Sequence, residues 1–279
     1  MSDLGARERV VDGRVIVITN PDRVLYPQTG FTKADLADYW LAVAGVILPH
    51  LGDRPLTLGR FPSGVDGRGF AQTEVPGRPE WLPTLELALR KGPHKRFTLV
   101  RERAALVWLA QMGTIEIHAF PGLPHDLERT SSVLFDLDPK PGADLVTVAE
   151  VALALREHLA QRDLAARVKT SGSRGLHVTA EVPEPIAMRE ARAIAEHAAT
   201  ALERELSAAS VTLDARQNSP RLTTVVPYSL RSTSRPLVST PVSWDEIASA
   251  VRTRDPSRLV FSAGDVVRRV ARADTIAGR

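Results

Sequence analysis

Asp136 and Asp138 stand two residues apart in SSVLFDLDPKPG, residues 131–142, a run otherwise rich in apolar, strand-forming side chains. In an extended chain alternate residues share a face, so Leu134, Asp136 and Asp138 point one way and Val133, Phe135 and Leu137 the other. The two carboxylates then leave the backbone roughly 6–7 Å apart on one face. That separation lets both reach a pair of hard cations about 4 Å apart, the arrangement used for phosphoryl and nucleotidyl transfer. The same letters also fit a strand end, with one Asp capping the turn before Pro139 and the other in solvent.

Two further stretches carry polar groups into strand-like surroundings. VKTSGSRGLHV, residues 168–178, sets a Ser-Gly-Ser-Arg-Gly turn between two strand segments. Gly172 and Gly175 give its backbone the freedom to turn N–H groups toward an anion, and His177 faces away from Leu176 and Val178. In SVTLDARQN, residues 210–218, Val211 and Leu213 belong to a core face while Asp214 shares the other face with Thr212. Each stretch alone is ambiguous. Together they argue for one site.

These residues need a scaffold, and the hydrophobic periodicity supplies one. FTKADLADYWLAVAGVILPHL, residues 31–51, opens with Thr32 and Asp35 in capping-box positions and repeats Leu36, Tyr39, Trp40, Val43 and Ile47 at helical spacing. Helices are also expected in 144–163, through Val148, Val151, Ala152, Leu155 and Leu159, and in 184–207, through Ala191, Ile194, Ala195, Ala198 and Leu202. Strands are expected at 131–138, 166–171, 176–182, 210–214 and 222–227. The order strand, helix, hairpin, helix, strand implies an α+β fold: a mixed sheet with helices packed on one side and a face left for a ligand. Residues before about 120, richer in Pro and Gly, read as a smaller α/β lobe. No clean linker separates it from a catalytic core at about 121–279, so both are expected to be lobes of one domain over 1–279.

The 279 residues suffice for a sizeable core, and 43% apolar with 25% charged is ordinary for a soluble globular chain. The absence of cysteine excludes disulfides, thiolate zinc sites and a thiol nucleophile. The polar N-terminal stretch and the lack of a long apolar run lead us to expect a cytoplasmic protein with no membrane partner. The net charge of +3 is unevenly placed. Arg90, Lys91, Lys95, Arg96, Arg101 and Arg103 cluster in 89–103, and Arg216, Arg221, Arg231 and Arg235 lie in 215–243 without an acid. Such patches suit a polyanion, although clustered Arg also solvates exposed loops.

The motifs resemble the archaeo-eukaryotic primase superfamily and, more closely, the polymerase domain of bacterial ligase D, used in non-homologous end joining. The resemblance runs through NPDRVLYPQTGFTKADLADYW, VILPHLGDRPLTLGRFPSGVDGRGF, GTIEIHAF, LFDLDPKPG, KTSGSRGLHV, TVVPYSLR and VSTPVSWDEI. With no ligase or nuclease module in the sequence, the chain looks like a stand-alone member. The resemblance implies a primase-polymerase core with an RRM-like sheet, and Asp136, Asp138 and Asp214 as ligands of two divalent cations, Mn²⁺ or Mg²⁺. It implies that His118, Ser171, Ser173, Arg174, His177 and Arg231 bind the incoming nucleoside triphosphate. Arg23 and Lys33 match a pocket for the 5′-phosphate of a DNA gap or break, with Arg23 standing where the family more often has lysine. Phe70 matches a ring on which the template stacks. A DNA ligase and a Ku-like protein come with the resemblance as candidate partners.

Some positions depart from the family pattern. Gly59 replaces a lysine in LGRFP, and Ala71 and Thr73 in GFAQT replace an aromatic and a lysine. A stacked base is worth roughly 1–3 kcal/mol, so the grip on the template is expected to be weak. Three readings stand: a nucleotidyltransferase extending 3′ ends with a preference for ribonucleotides, a non-catalytic DNA-end-binding module, and a two-metal phosphoesterase or nuclease. The intact triad of aspartates and the triphosphate loop favour the first.

Overall fold

The chain divides into two units in the computed structural model, which describes residues 5–88, 94–206 and 210–277. One unit draws on Met1–Ala119, Val225–Leu237 and Ser262–Arg279, the other on Phe120–Thr224 and Val238–Phe261. The first unit is thus interrupted after Ala119, and two later segments return to it.

The first unit begins with β1 (Arg7–Val11), β2 (Arg14–Ile18), β3 (Val24–Tyr26) and β4 (Phe31–Thr32). Helices α1 (Lys33–Ala42) and α2 (Ala44–Leu51) follow, then β5 (Leu56–Arg60), β6 (Phe70–Gln72), β7 (Thr84–Ala88), β8 (His94–Thr98), α3 (Arg103–Gln111) and β9 (Thr114–Ala119). Thr32 and Asp35 close the expected capping box on α1. The helical spacing of 31–51 is shared between two helices that break at Val43, yet Leu36, Tyr39, Trp40 and Ile47 all enter the core. Strand β5 lies antiparallel between β9 and β6. The returning segment is stitched to β9, where the Val226 N–H donates to the Ile117 carbonyl at 3.0 Å.

The second unit holds β10 (Arg129–Pro139), α4 (Leu145–Ala160), β11 (Ala166–Thr170), β12 (Leu176–Ala187), α5 (Met188–Leu206) and β13 (Val211–Asp214). After β14 (Thr224–Val225) come β15 (Pro241–Val242), α6 (Trp244–Thr253) and, back in the first unit, α7 (Ala263–Ala277). Its sheet runs β13-β10-β12-β11-β15, and these pairings are antiparallel throughout. This corrects the expectation of a mixed sheet. Helix α4 does connect two like-directed strands, β10 and β11, but β12 is inserted between them; β10 likewise separates β12 from β13. That split βαβ arrangement makes every neighbour antiparallel and yields the RRM-like sheet.

The alternation along β10 is realised as expected. Val133, Phe135 and Leu137 have no solvent exposure and pack with α4 and α5 residues such as Val148, Ala152, Leu155, Ala191 and Ala195. Fully burying a side chain of this size is worth about 1.5–3 kcal/mol, so a one-residue slip that exposed this set would be heavily disfavoured. The opposite face keeps the polar residues. Among the described residues no helix is long and apolar enough to cross a membrane.

Candidate active site

On the polar face of the second unit's sheet, cross-strand register assembles the expected carboxylates. Asp136 is directly opposite His177 of β12 on one side and Asp214 of β13 on the other, and Asp138 is opposite Thr212. Directly opposed residues share a face, so Asp214, Asp136 and His177 form one row and Asp138 lies in the next. Two carboxylates opposed in this way repel each other, and each is met by a basic group. His177 is buried, with Nε2 3.3 Å from Asp136 Oδ1 and Nδ1 3.3 Å from Thr224 Oγ1. Asp214 is gripped by Arg216 through Nε at 3.0 Å, Nη2 at 2.7 Å and the backbone N–H at 2.7 Å. The Arg216 guanidinium, followed by its N–H, lowers the Asp214 pKa against the opposing effect of burial.

With Asp136 turned to His177 and Asp214 to Arg216, no three His, Cys, Asp or Glu side chains form a ready metal cage among the described residues. The donor chemistry nevertheless suits hard divalent cations, since all three aspartates offer only carboxylate oxygens. Beyond the β13 ladder, Asn218 continues the edge of β10. It accepts from the Leu134 N–H at 2.9 Å and donates to the Leu134 carbonyl at 2.7 Å. Arg216, Asn218 and Thr224 were not singled out in the sequence as parts of this site. The spacing Asp-x-Arg was the one available signal.

The turn after β11 departs from the expectation in part. Gly172 takes φ +73°, the left-handed conformation glycine was expected to supply. The N–H groups of Ser173 and Gly175, however, donate to Ser171 Oγ at 3.3 and 3.1 Å, so these two donors are engaged within the turn. Ser171 is buried, while Ser173 and Arg174 are exposed. Gly175 has a second task. A Cβ there would overlap the Leu137 carbonyl and lie 2.5 Å from Asp138 Oδ1. Gly175→Ala is therefore expected to displace Asp138 and to lower the turnover of any chemistry it supports by about 100-fold. Steady-state turnover beside thermal unfolding checks this; unchanged turnover would mean that Asp138 needs no such support.

The first unit contains a second cluster around a residue the sequence had left unassigned. Glu116, two residues before His118 on β9, is 9% exposed. Its carboxylate meets His118 Nε2 at 2.8 Å and Arg231 Nε at 3.2 Å, and accepts from the Ser232 N–H and hydroxyl at 2.7 Å each. Burial alone would raise its pKa; the His118 hydrogen bond, the Arg231 charge and the Ser232 N–H outweigh burial and hold it at about 2. The missing side chain of Gly59 belongs to this cluster, because a Cβ there would come within 2.9 Å of Glu116 Cβ.

Arg23 and Lys33 come together at the joint of β3, β4 and α1, where the Lys33 N–H donates to the Arg23 carbonyl at 2.9 Å. Arg23 is exposed and donates to the Pro62 carbonyl; Lys33 is buried and its Nζ donates to the Thr19 carbonyl at 2.8 Å. Burial, then the charges of Arg23 and Arg60, push the Lys33 pKa down to about 8. Arg60 was an unrecognised member of this cationic group. It also stands 5.3 Å from the ring of Phe70, which is 46% exposed on β6. The basic stretch 89–103 is less bare than its letters suggest. Arg96 reaches Glu74, Arg101 reaches Asp53 and Arg103 reaches Asp12, while Arg90 and Lys91 lie outside the described residues.

Comparison with known proteins returns one consistent relationship. The family model for the LigD primase-polymerase domain matches residues 32–276. The multifunctional non-homologous end joining protein LigD of Mycolicibacterium smegmatis is 36% identical over 83% of this chain and 32% of its own length. The corresponding LigD DNA repair protein of Mycobacterium tuberculosis (strain H37Rv) is 36% identical over 92% of this chain and 36% of its own. The chain thus spans about a third of the length of these curated relatives. The solved polymerase domain from Mycobacterium tuberculosis ligase D, in complex with DNA, superposes with a TM-score of 0.82 at 34% identity, covering 92% of this chain and 94% of that one.

Proposed function

Because this chain belongs to the LigD primase-polymerase domain family, we propose that it is a metal-dependent nucleotidyltransferase extending 3′ ends at DNA gaps or double-strand breaks. The observation that carries this reading is the row of Asp214, Asp136 and His177, with Asp138 beside it, on the polar face of a sheet whose other face is core. Asp136, Asp138 and Asp214 would hold two divalent cations, Mn²⁺ or Mg²⁺. Such ions, when bound, offset charge on a triphosphate and favour attack by a 3′-hydroxyl. His177 orients Asp136 from one side, and Thr224 in turn orients His177. Arg216 neutralises Asp214 and must yield to a cation there.

His118 and Arg231, with Glu116 setting their orientation, are proposed to bind the nucleoside triphosphate, as are Ser171, Ser173, Arg174 and His177. Ribonucleotides are the proposed substrates, and end joining, with a DNA ligase and a Ku-like protein as partners, is the proposed setting. The DNA bound to the solved relative supports a DNA substrate. Arg23 and Lys33 are proposed to hold a 5′-phosphate. Phe70 is left to stack the template alone, since Ala71 supplies no second ring.

The test is incubation with a 5′-phosphorylated gapped duplex, Mn²⁺ and ribonucleoside triphosphates. Extension of the primer supports the reading. Retention without change would favour an end-binding module, and shortening a nuclease.

The depressed Lys33 pKa sets a pH window. A terminal phosphate is doubly charged above its second pKa of about 6, and Lys33 is protonated below about 8. The affinity advantage of a phosphorylated over an unphosphorylated gap is therefore expected to peak between these values. Above pH 8 it should fall by up to about tenfold per unit as Lys33 loses its proton. Lys33→Arg should carry the plateau past pH 9. An advantage that is flat to pH 10 in the unaltered protein would remove Lys33 from the pocket.

A further inference from the structure

Two tyrosines in the stretch 20–40 have no part in the function described so far, and both are buried with their hydroxyls on one distant loop. Tyr26, on β3, donates to the Arg231 carbonyl at 2.8 Å. Tyr39, on α1, donates to the Tyr228 carbonyl at 2.7 Å. The loop they hold is not a relaxed one. Tyr228 takes φ +67°, the left-handed region that a bulky side chain rarely occupies. Such a conformation persists only where its surroundings over-determine it, and the two hydroxyls supply fixed points three residues apart.

The positions of these tyrosines matter as much as their bonds. Tyr26 lies three residues beyond Arg23, and Tyr39 lies on the helix that Lys33 begins. The two elements are joined at their origin by the Lys33 N–H to Arg23 carbonyl bond and by the Ala34 N–H to Pro21 carbonyl bond at 2.8 Å. The group that would grip a 5′-phosphate and the group that would grip a triphosphate are thus joined through one hydrogen-bonded stretch of the first unit. We propose that Tyr26 and Tyr39 are positioning residues that couple 5′-phosphate occupancy at Arg23 and Lys33 to the placement of Arg231, so that the phosphate tightens nucleotide binding. This rests on the assignment of those two groups made above. A phosphate drawn between Arg23 and Lys33 orders β3 and the start of α1, and the hydroxyls carry that order to the backbone of the Arg231 loop.

Linkage makes the coupling reciprocal, and couplings of this kind span about 5–150-fold. The measurement is the dissociation constant of a non-hydrolysable ribonucleoside triphosphate in Mn²⁺, on a gapped duplex with a dideoxy-terminated primer, with and without the 5′-phosphate. In the unaltered protein the phosphate is expected to tighten the nucleotide at least about fivefold, and the nucleotide to tighten phosphorylated duplex by the same factor. In Tyr26→Phe/Tyr39→Phe the factor should fall to one, while the preference for phosphorylated duplex without nucleotide remains. A role limited to stability would lower the unfolding temperature and leave the factor untouched. Tyr26→Phe and Tyr39→Phe taken singly should each lower it partway, which keeps the test decisive if the double variant does not fold. A factor that survives these changes, or a factor of one in the unaltered protein that still prefers the phosphate, overturns the coupling. Absence of any phosphate preference in the unaltered protein overturns the assignment of Arg23 and Lys33 and the coupling with it.

Discussion

Asp136→Asn together with Asp138→Asn is expected to reduce primer extension by at least about a thousandfold, a loss of roughly 4 kcal/mol of transition-state stabilisation. Asn preserves the size of each side chain and the strand it stands on, so the hydrophobic face of β10 should remain packed. What disappears is the negative charge that would hold cations between the strands. Duplex binding through a 5′-phosphate should be retained, because Arg23 and Lys33 belong to the first unit. Primer extension in Mn²⁺, with duplex affinity measured beside it, checks both halves. Extension persisting above about a hundredth of the original rate would remove these two residues from the chemistry. Loss of duplex binding as well would show that the substitution had damaged the fold instead.

Glu116→Ala should give the largest effect on stability, about 3–5 kcal/mol, because it leaves Arg231 and the Ser232 N–H in a largely dry setting without their shared acceptor. For a chain of this size that is a fall in Tm of about 10 °C. The pH dependence distinguishes charge from packing. The folded-state pKa of Glu116 is lowered to about 2 from an ordinary value near 4.5. Its contribution is therefore fully present above pH 4.5 and is lost as pH falls toward 2. Glu116→Gln, which keeps the shape and removes the charge, should lose that component and flatten the acid limb of the stability curve. Thermal unfolding between pH 2 and 7 measures it. A Glu116→Ala protein within 1 kcal/mol of the unaltered chain would mean that solvent or a neighbouring acceptor replaces the carboxylate.

The letters of residues 131–138 were enough to place Asp136 and Asp138 on one face, because alternation in a strand is a property of the strand itself. For the same reason the capping box of α1, the helical stripes of α4 and α5, and the left-handed glycine of the turn after β11 could all be read locally. The order of helices and strands was also sufficient for an α+β fold with helices packed on the sheet. The resemblance of the motifs to the ligase D polymerase domain is borne out by the family match and by the solved relative.

Partnerships across the sheet had no such local signal. That Asp136 opposes Asp214 depends on a register between segments nearly eighty residues apart, and the order β13-β10-β12-β11 turned an expected mixed sheet into an antiparallel one. The same holds for Glu116. Its letters mark it as one acid in an apolar strand, and only the return of Val225–Leu237 to the first unit brings Arg231 and Ser232 to it. Gly175 reads in sequence as a turn residue and acts in the fold as the gap into which the Asp138 carboxylate fits. Side-chain periodicity follows from the geometry of the neighbouring peptide units, so the sequence alone determined it. Contacts between distant segments follow from which apolar faces find one another when the core closes, and only the tertiary structure decided those.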